Sequence, residues 1–275
     1  MDEKKAFTGG SSILLAEDDK MNQVVVAGLI KKLNLGRVQI AQNGKEAVQM
    51  FCSHPFDLIL MDGQMPEMNG IDAALAIRAI EKDKHMSRTP IIALTAHAAQ
   101  EDKELYLSSG MDDFLIKPLN PDALKQAVQN LVRKKAPHAI SPGDADEKPE
   151  NAPGLKSSDL KDCINVKELK QIMGGKKQLL DKCLQTFEAA YPVQMAELTR
   201  CIEKEEYDGL NENAHRLKGM FKYLAAANAV TLIEQLESMG GAQNVTGAHT
   251  TVQALHDECL KIIDSIKQIL KENFS

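Results

Sequence analysis

Polar residues stand at the ends of short apolar runs in the first half of this sequence, and as a set they suit phosphoryl chemistry. Glu17, Asp18 and Asp19 follow SILLA (12–16), and Asp62 follows FDLILM (56–61). Thr95 lies at the end of PIIALTA (90–96) and Lys117 closes DFLIK (113–117). Two or three carboxylates in one crevice repel one another, and a hard cation relieves that repulsion. Mg2+ fits because it takes oxygen ligands and keeps several waters. An aspartate beside such an ion acts as a nucleophile toward a phosphoryl group and gives an acyl phosphate. The Thr95 hydroxyl and the Lys117 ammonium are then suited to the remaining phosphoryl oxygens. Asp19 alone, or Asp57 alone, reads as a solvated loop residue or a helix cap. It is the whole set, in order, that points to chemistry.

A second candidate lies far downstream, in AHRLKG (214–219). Leu210, Ala214, Leu217, Phe221 and Leu224 recur at helical spacing and form an apolar stripe. His215 falls one residue past it, and shares an expected polar face with Asn211, Lys218, Gly219 and Lys222. An exposed imidazole is a competent phosphoryl nucleophile near neutral pH. Lys218 at i+3 is placed to neutralise charge on a group bonded to it. Gly219 at i+4 leaves room for a bulky partner, and glycine inside a helix costs about 1 kcal/mol relative to alanine. No acidic residue adjoins His215 in the sequence to make a dyad, and no Cys or His stands at zinc-site spacing.

The elements that must position these residues differ between the two halves. SILLA, RVQIA (37–41), FDLILM, PIIALTA and DFLIK read as strands, separated by helical segments such as Met21–Leu33, Gly44–Phe51, Ile71–Ile80 and Pro121–Val132. Asn120 is the expected N-cap of the last, with Pro121 at its first position. Five strands alternating with five helices imply a doubly wound parallel sheet, whose strand carboxyl ends share one ligand crevice. Downstream the signal is purely helical. Leu180, Leu184, Phe187, Tyr191, Leu198 and Ile202 form one stripe, with Pro192 as a candidate kink. Ala229–Leu236 and Val252–Leu270 mark two more helices, for a bundle of four main antiparallel helices plus a short one near Val166–Met173. Between the halves, 134–158 carries four prolines and no apolar period, and reads as a flexible linker.

Composition bounds the function. The chain has 275 residues, enough for two domains, with 43% hydrophobic and 26% charged residues, as in soluble globular proteins. It has neither a long apolar run nor the apolar core of a signal peptide, so the expected location is the cytoplasm, without membrane. A net charge of −6 with no basic patch argues against nucleic acid as a partner. Five scattered cysteines without a CxxC pair read as buried free thiols.

ILLAEDD, LILMDGQMPEMNG, IIALTA and FLIKP, in this order and spacing, resemble the receiver domain of two-component signalling. That resemblance implies a flavodoxin-like α/β domain over 11–133, with Asp62 as the phosphoacceptor. Glu17 and Asp18 would form its acidic pair, Asp18 being the direct ligand of Mg2+, completed by Asp62 and the backbone carbonyl of Gln64. Thr95 and Lys117 would contact the phosphoryl group, Phe114 would be the switch aromatic, and the Lys117–Pro118 bond would be cis. Asp19 and Gly63 depart from the commonest receiver pattern, the first adding charge near the metal and the second loosening the backbone. His97 lies where such domains tune phosphoryl lifetime. Residues 159–275 resemble the all-α histidine phosphotransfer (HPt) domain, with His215 as a second phosphorylation site. Met220 and LAA (224–226) stand where that family usually keeps Ser or Ala and LGA.

The expected function is an intermediate in a phosphorelay. Phosphate would reside on Asp62 and on His215, arriving from a sensor histidine kinase, hybrid or simple, and passing to or from another receiver. The receiver would catalyse its own phosphorylation and dephosphorylation, since the sequence shows no ATP-binding kinase motif. The alternative is a receiver that gates the HPt domain by docking on it, with no internal transfer. A start at Met1 favours a free-standing protein over the tail of a hybrid kinase. Hydrolysis in the acidic crevice is disfavoured because Gln64, not an acid, stands two residues after Asp62.

Overall fold

The computed structural model describes residues 10–96, 100–134, 163–173 and 175–272. Five strands, β1 (Ser12–Ala16), β2 (Arg37–Ala41), β3 (Leu58–Asp62), β4 (Ile91–Thr95) and β5 (Asp113–Ile116), form one parallel sheet in the order β2-β1-β3-β4-β5. The helices between them are α1 (Lys20–Lys32), α2 (Gly44–Ser53), α3 (Gly70–Asp83) and α4 (Gln100–Ser108), and α5 (Pro121–Lys134) follows β5. Strand alternation decides which layer each side chain joins. Ile13, Leu15, Leu60, Ile92 and Leu94 turn toward α1 and α5, while Leu14, Ala16, Ile59, Met61 and Ala93 join Ala47, Phe51, Ala73 and Ile77 on the opposite face. β3 starts two residues later than expected. Asp57 is tied to the start of β1 instead, its amide donating to Ser12 O at 2.8 Å and its carboxylate accepting from Ser12 N at 2.9 Å.

Side-chain caps start several helices by accepting an orphan amide. Asp19 accepts from Asn22 N, Asn43 from Glu46 N and Asn69 from Asp72 N. Asn120 caps α5 by accepting from Asp122 N at 2.8 Å. The polar contribution of Asp19 is therefore a helix cap.

The second half is all helical: α6 (Val166–Ile172), α7 (Lys177–Glu203), α8 (Tyr207–Tyr223), α9 (Ala227–Gly241) and α10 (Ala248–Glu272). α7 runs unbroken through Pro192. Phe187, Phe221 and Tyr191 meet in its centre, with Phe187 and Phe221 edge to face at 5.9 Å. None of the five cysteines forms a disulfide; Cys183, Cys201 and Cys259 are buried, Cys163 is half-buried and Cys52 is exposed. Of the expected linker, 134–158, only Lys134 is among the described residues, where it ends α5; the rest lies outside them, as does His97. Among the described residues no helix is long and apolar enough to cross a membrane.

The two halves share one hydrophobic core. The buried cluster under α1 and α5 continues through Ile164, Leu169 and Leu179 into the bundle. α1 packs against α7 and α8. Gly28 of α1 lies against Leu179, and a β-carbon there would reach within 2.7 Å of Leu179 Cδ1. The fully buried Tyr223 hydroxyl accepts from Leu119 N at 3.3 Å, a bond from the bundle to the loop after β5.

Candidate functional site

The carboxyl ends of β1, β3, β4 and β5 open onto one crevice, and α8 lies across it. Glu17, Asp18 and Asp62 each bring a carboxylate oxygen within 4.8 Å of the others. Lys117 reaches in from the end of β5, its Nζ 2.6 Å from Glu17 Oε2 and 2.7 Å from Asp62 Oδ2. Asn22 Nδ2 donates to Glu17 Oε1 at 2.9 Å, and Gln64 N to Asp62 Oδ1 at 3.3 Å. A cavity of about 470 Å³ is lined by Glu17, Asp18, Asp62, Thr95, His215 and Glu237 among others. The two candidate phosphorylation sites thus line the same cavity, although 153 positions separate them in sequence (215 − 62).

Burial and charge crowding together set the electrostatics. Burial, then repulsion from Asp62, holds the Glu17 carboxyl well above the ordinary carboxylate range, although Lys117 opposes the shift. Burial likewise raises Asp18 to about 6, against the attraction of Arg216. Burial opposes the charge on Lys117, but the Asp62 and Glu17 carboxylates outweigh it and raise its pKa, which keeps the ammonium charged. A donor set of carboxylate oxygens that raise one another's proton affinity fits a hard divalent cation. Asn22 Oδ1, buried in the same lining without a hydrogen-bond partner, adds an oxygen of the kind such an ion's hydration shell uses. Glu17, Asp18 and Asp62 are the side chains that would hold the ion.

His215 departs from the expectation of an open polar face. Its side chain is 22% exposed, because α8 lies against the receiver half. Its Nδ1 is 2.7 Å from Glu237 Oε1, and Lys218 Nζ is 2.5 Å from Glu237 Oε2. The carboxylate that pairs with His215 therefore comes from α9 and not from its neighbours in sequence. Burial favours the neutral Glu237 carboxyl, yet hydrogen bonds from His215 and Lys218 outweigh it and lower it to about 2. Lys218 is buried on Glu237 rather than turned to the crevice. The bulky partner that Gly219 admits is the receiver half itself: a β-carbon there would meet Asn22 Nδ2 at 3.4 Å. Lys222 donates to Ala96 O at 3.3 Å, and Arg216 Nε pairs with Asp18 Oδ2 at 3.1 Å.

Sequence reasoning placed Glu17, Asp18, Asp62, Gln64, Thr95 and Lys117 in one crevice and His215 in a separate domain; all seven line the same cavity. Phe114 lies apart from its lining, packed against the opposite core face with Lys103 Nζ 4.9 Å from its ring centroid. The Lys117–Pro118 bond is cis. Arg216, Glu237 and Tyr106 were missed. Tyr106 had one visible signal, Gly63. A β-carbon at 63 would overlap the Tyr106 hydroxyl and come within 3.0 Å of its Cζ, so glycine is there for space and not for a loose backbone. That hydroxyl lies 3.5 Å from Thr95 Oγ1.

Comparison with known proteins agrees with this division. Residues 13–129 match the response regulator receiver domain family and residues 179–268 match the Hpt domain family. The chain joins a receiver domain of two-component signalling to an HPt domain. It is 29% identical over 231 residues to the sensor histidine kinase GacS of Pseudomonas protegens, covering 82% of this chain and 24% of GacS. It is 28% identical over 227 residues to the aerobic respiration control sensor ArcB of Escherichia coli, covering 82% of this chain and 28% of ArcB. The chain thus spans about a quarter of the length of these relatives. Among solved structures, it is similar to the receiver domain of the Pseudomonas aeruginosa sensor histidine kinase PA1611, which holds a coordinated magnesium ion. That match has 39% identity and a TM-score of 0.41, over 45% of this chain and 98% of that one.

Gly63→Val should destabilise the protein by about 1–3 kcal/mol through overpacking against Tyr106. In a Tyr106→Ala background the same change should cost at least about 1 kcal/mol less in urea unfolding. Equal costs in both backgrounds would refute the steric pairing. Glu237 has a lowered folded pKa, so its contribution is complete above the ordinary value of 4.5 and fades as pH falls toward about 2. Glu237→Gln should therefore cost about 1–2 kcal/mol at pH near 6, discounted for its partial exposure, and much less near pH 2. A cost that does not depend on pH would contradict the assignment.

Proposed function

We propose that this chain relays a phosphoryl group between Asp62 and His215, with the docked domains forming the transfer site. The supporting observation is the single cavity that both residues line. In the direction from receiver to HPt, the lone pair of His215 Nε2 attacks phosphorus of the Asp62 acyl phosphate. The P–O bond to the Asp62 carboxylate breaks, and its electron pair stays on that carboxylate. The ring becomes N-phosphorylated on Nε2, keeping its proton on Nδ1. Glu237 holds Nδ1, which leaves Nε2 as the nucleophile and offsets the positive charge that develops on the ring. Reversal runs through the same bonds, so the geometry serves flow in either direction.

Lys117 and Thr95 act on the receiver side. The Lys117 ammonium, already on Asp62, neutralises charge on the phosphoryl oxygens, and the Thr95 hydroxyl donates to them. Mg2+ bound by Glu17, Asp18 and Asp62, with the Gln64 carbonyl, would supply further neutralisation of the transferring group. Phe114 and Thr95 are the candidates for reporting phosphorylation to the α4–β5 surface. The chain's partners would be a sensor histidine kinase on one side and a second receiver domain on the other, in the cytoplasm, with the 134–158 segment as the tether between its domains.

A gating reading is favoured by one observation. His215 is already covered by its own receiver domain, so an outside receiver reaches it only after undocking. Labelling separates the two readings. With a small phosphodonor such as acetyl phosphate, the wild-type chain should carry label on both residues. Asp62→Asn should lose label at both, and His215→Ala should retain it at Asp62 alone. Label on His215 that persists in Asp62→Asn, or label unaffected by either change, would overturn the relay. Label confined to Asp62 in the wild type would favour gating.

A further inference from the structure

The crevice carries a cation that does not belong to the receiver domain. Arg216 stands next to His215 on α8 and crosses the domain boundary to Asp18, with Nε 3.1 Å from Oδ2. The Asp18 side chain is 13% exposed, so this pair is partly withdrawn from water. Lys117, the receiver's own cation, is bonded to Glu17 and Asp62. The charge on Asp18 is thus met from the other domain.

Given the reading above that the crevice takes a divalent cation, we propose that Arg216 is a surrogate for that ion. In the docked protein its guanidinium occupies the charge position of the metal at Asp18, so ion binding and the Arg216–Asp18 contact compete. Three features support competition over coexistence. Asp18 offers its oxygens to a space already crowded by Glu17 and Asp62. A guanidinium carries a single charge and no vacant coordination position, so it relieves the crowding only in part. Arg216 also keeps 38% of its side chain exposed, which gives it room to swing away when an ion arrives.

Linkage makes the effect reciprocal: whatever Arg216 takes from ion affinity, the ion takes from the Arg216 contact. The released guanidinium remains one residue from His215, and its planar fork suits phosphoryl oxygens. The same residue would hold the domains together before the ion binds and face the transferring group afterwards.

Calorimetric titration of the full-length chain with Mg2+, without phosphodonor, tests this. Arg216→Ala and Arg216→Gln should each bind Mg2+ about five- to tenfold more tightly than wild type, the low end of couplings between sites. Unchanged or weaker affinity in both variants would overturn the proposal and show that guanidinium and ion share Asp18. Asp18→Asn tests the underlying reading separately and should weaken binding. If Asp18→Asn binds Mg2+ as wild type does, or wild type binds none, the crevice is not the ion's site and the proposal falls with it. Asp62-to-His215 labelling does not depend on this affinity difference, so the relay reading can survive the loss of the surrogate.

Discussion

The packing of α8 and α7 against α1 fixes everything else in this molecule. α1 begins directly after the acidic loop, so whatever packs on its first turns also covers the crevice. Gly219 on Asn22 sets the separation there, and Gly28 on Leu179 sets it two turns further along. Both contacts use the smallest residue at the point of closest approach. His215 is carried over Asp62 by helix geometry, with no special loop conformation. The apolar part of the contact is continuous with the receiver core, which gives it the character of a domain interior.

On that scaffold the polar groups are arranged to share charge. Of the acidic side chains that line the cavity, Glu17, Asp18, Asp62 and Glu237 are paired with three cations: Lys117, Arg216 and Lys218. Buried pairs of this kind contribute little net stability once desolvation is counted, but removing one partner leaves an uncompensated charge. Their value here is positional. Lys117 holds the Asp62 carboxylate, and Glu237 fixes one ring nitrogen of His215 while Lys218 fixes Glu237. The HPt side of the site is thus a three-residue chain built on two helices.

The sequence made the receiver half legible because strand ends are local facts. β1 and β2 fall on SILLA and RVQIA residue for residue, and the residues after each strand had to converge once the sheet was parallel. Helical phase also found the buried stripe Leu210, Ala214, Leu217, Phe221 and Leu224. What it missed depends on the docking of one domain on the other or on distant pairing. Lys218 and Gly219 lie on the helix face that one domain's periodicity marks as solvent, yet both are buried. Glu237 is 22 residues from His215 (237 − 215) and on another helix, beyond the reach of any local motif. Arg216 has a partner only because α8 lies over the acidic loop. Gly63 was visible as an oddity, but its cause, the Tyr106 ring, required the α4 packing.

The proposed transfer across a shared cavity would be intramolecular, with a high effective concentration of acceptor. The direct measurement is the rate of label transfer from Asp62 to His215 in purified protein, followed over a hundredfold range of chain concentration. Transfer within the docked molecule predicts a first-order rate constant that stays the same across the range. A rate constant that rises in proportion to concentration would show that His215 receives its phosphate from another molecule, and would contradict the account.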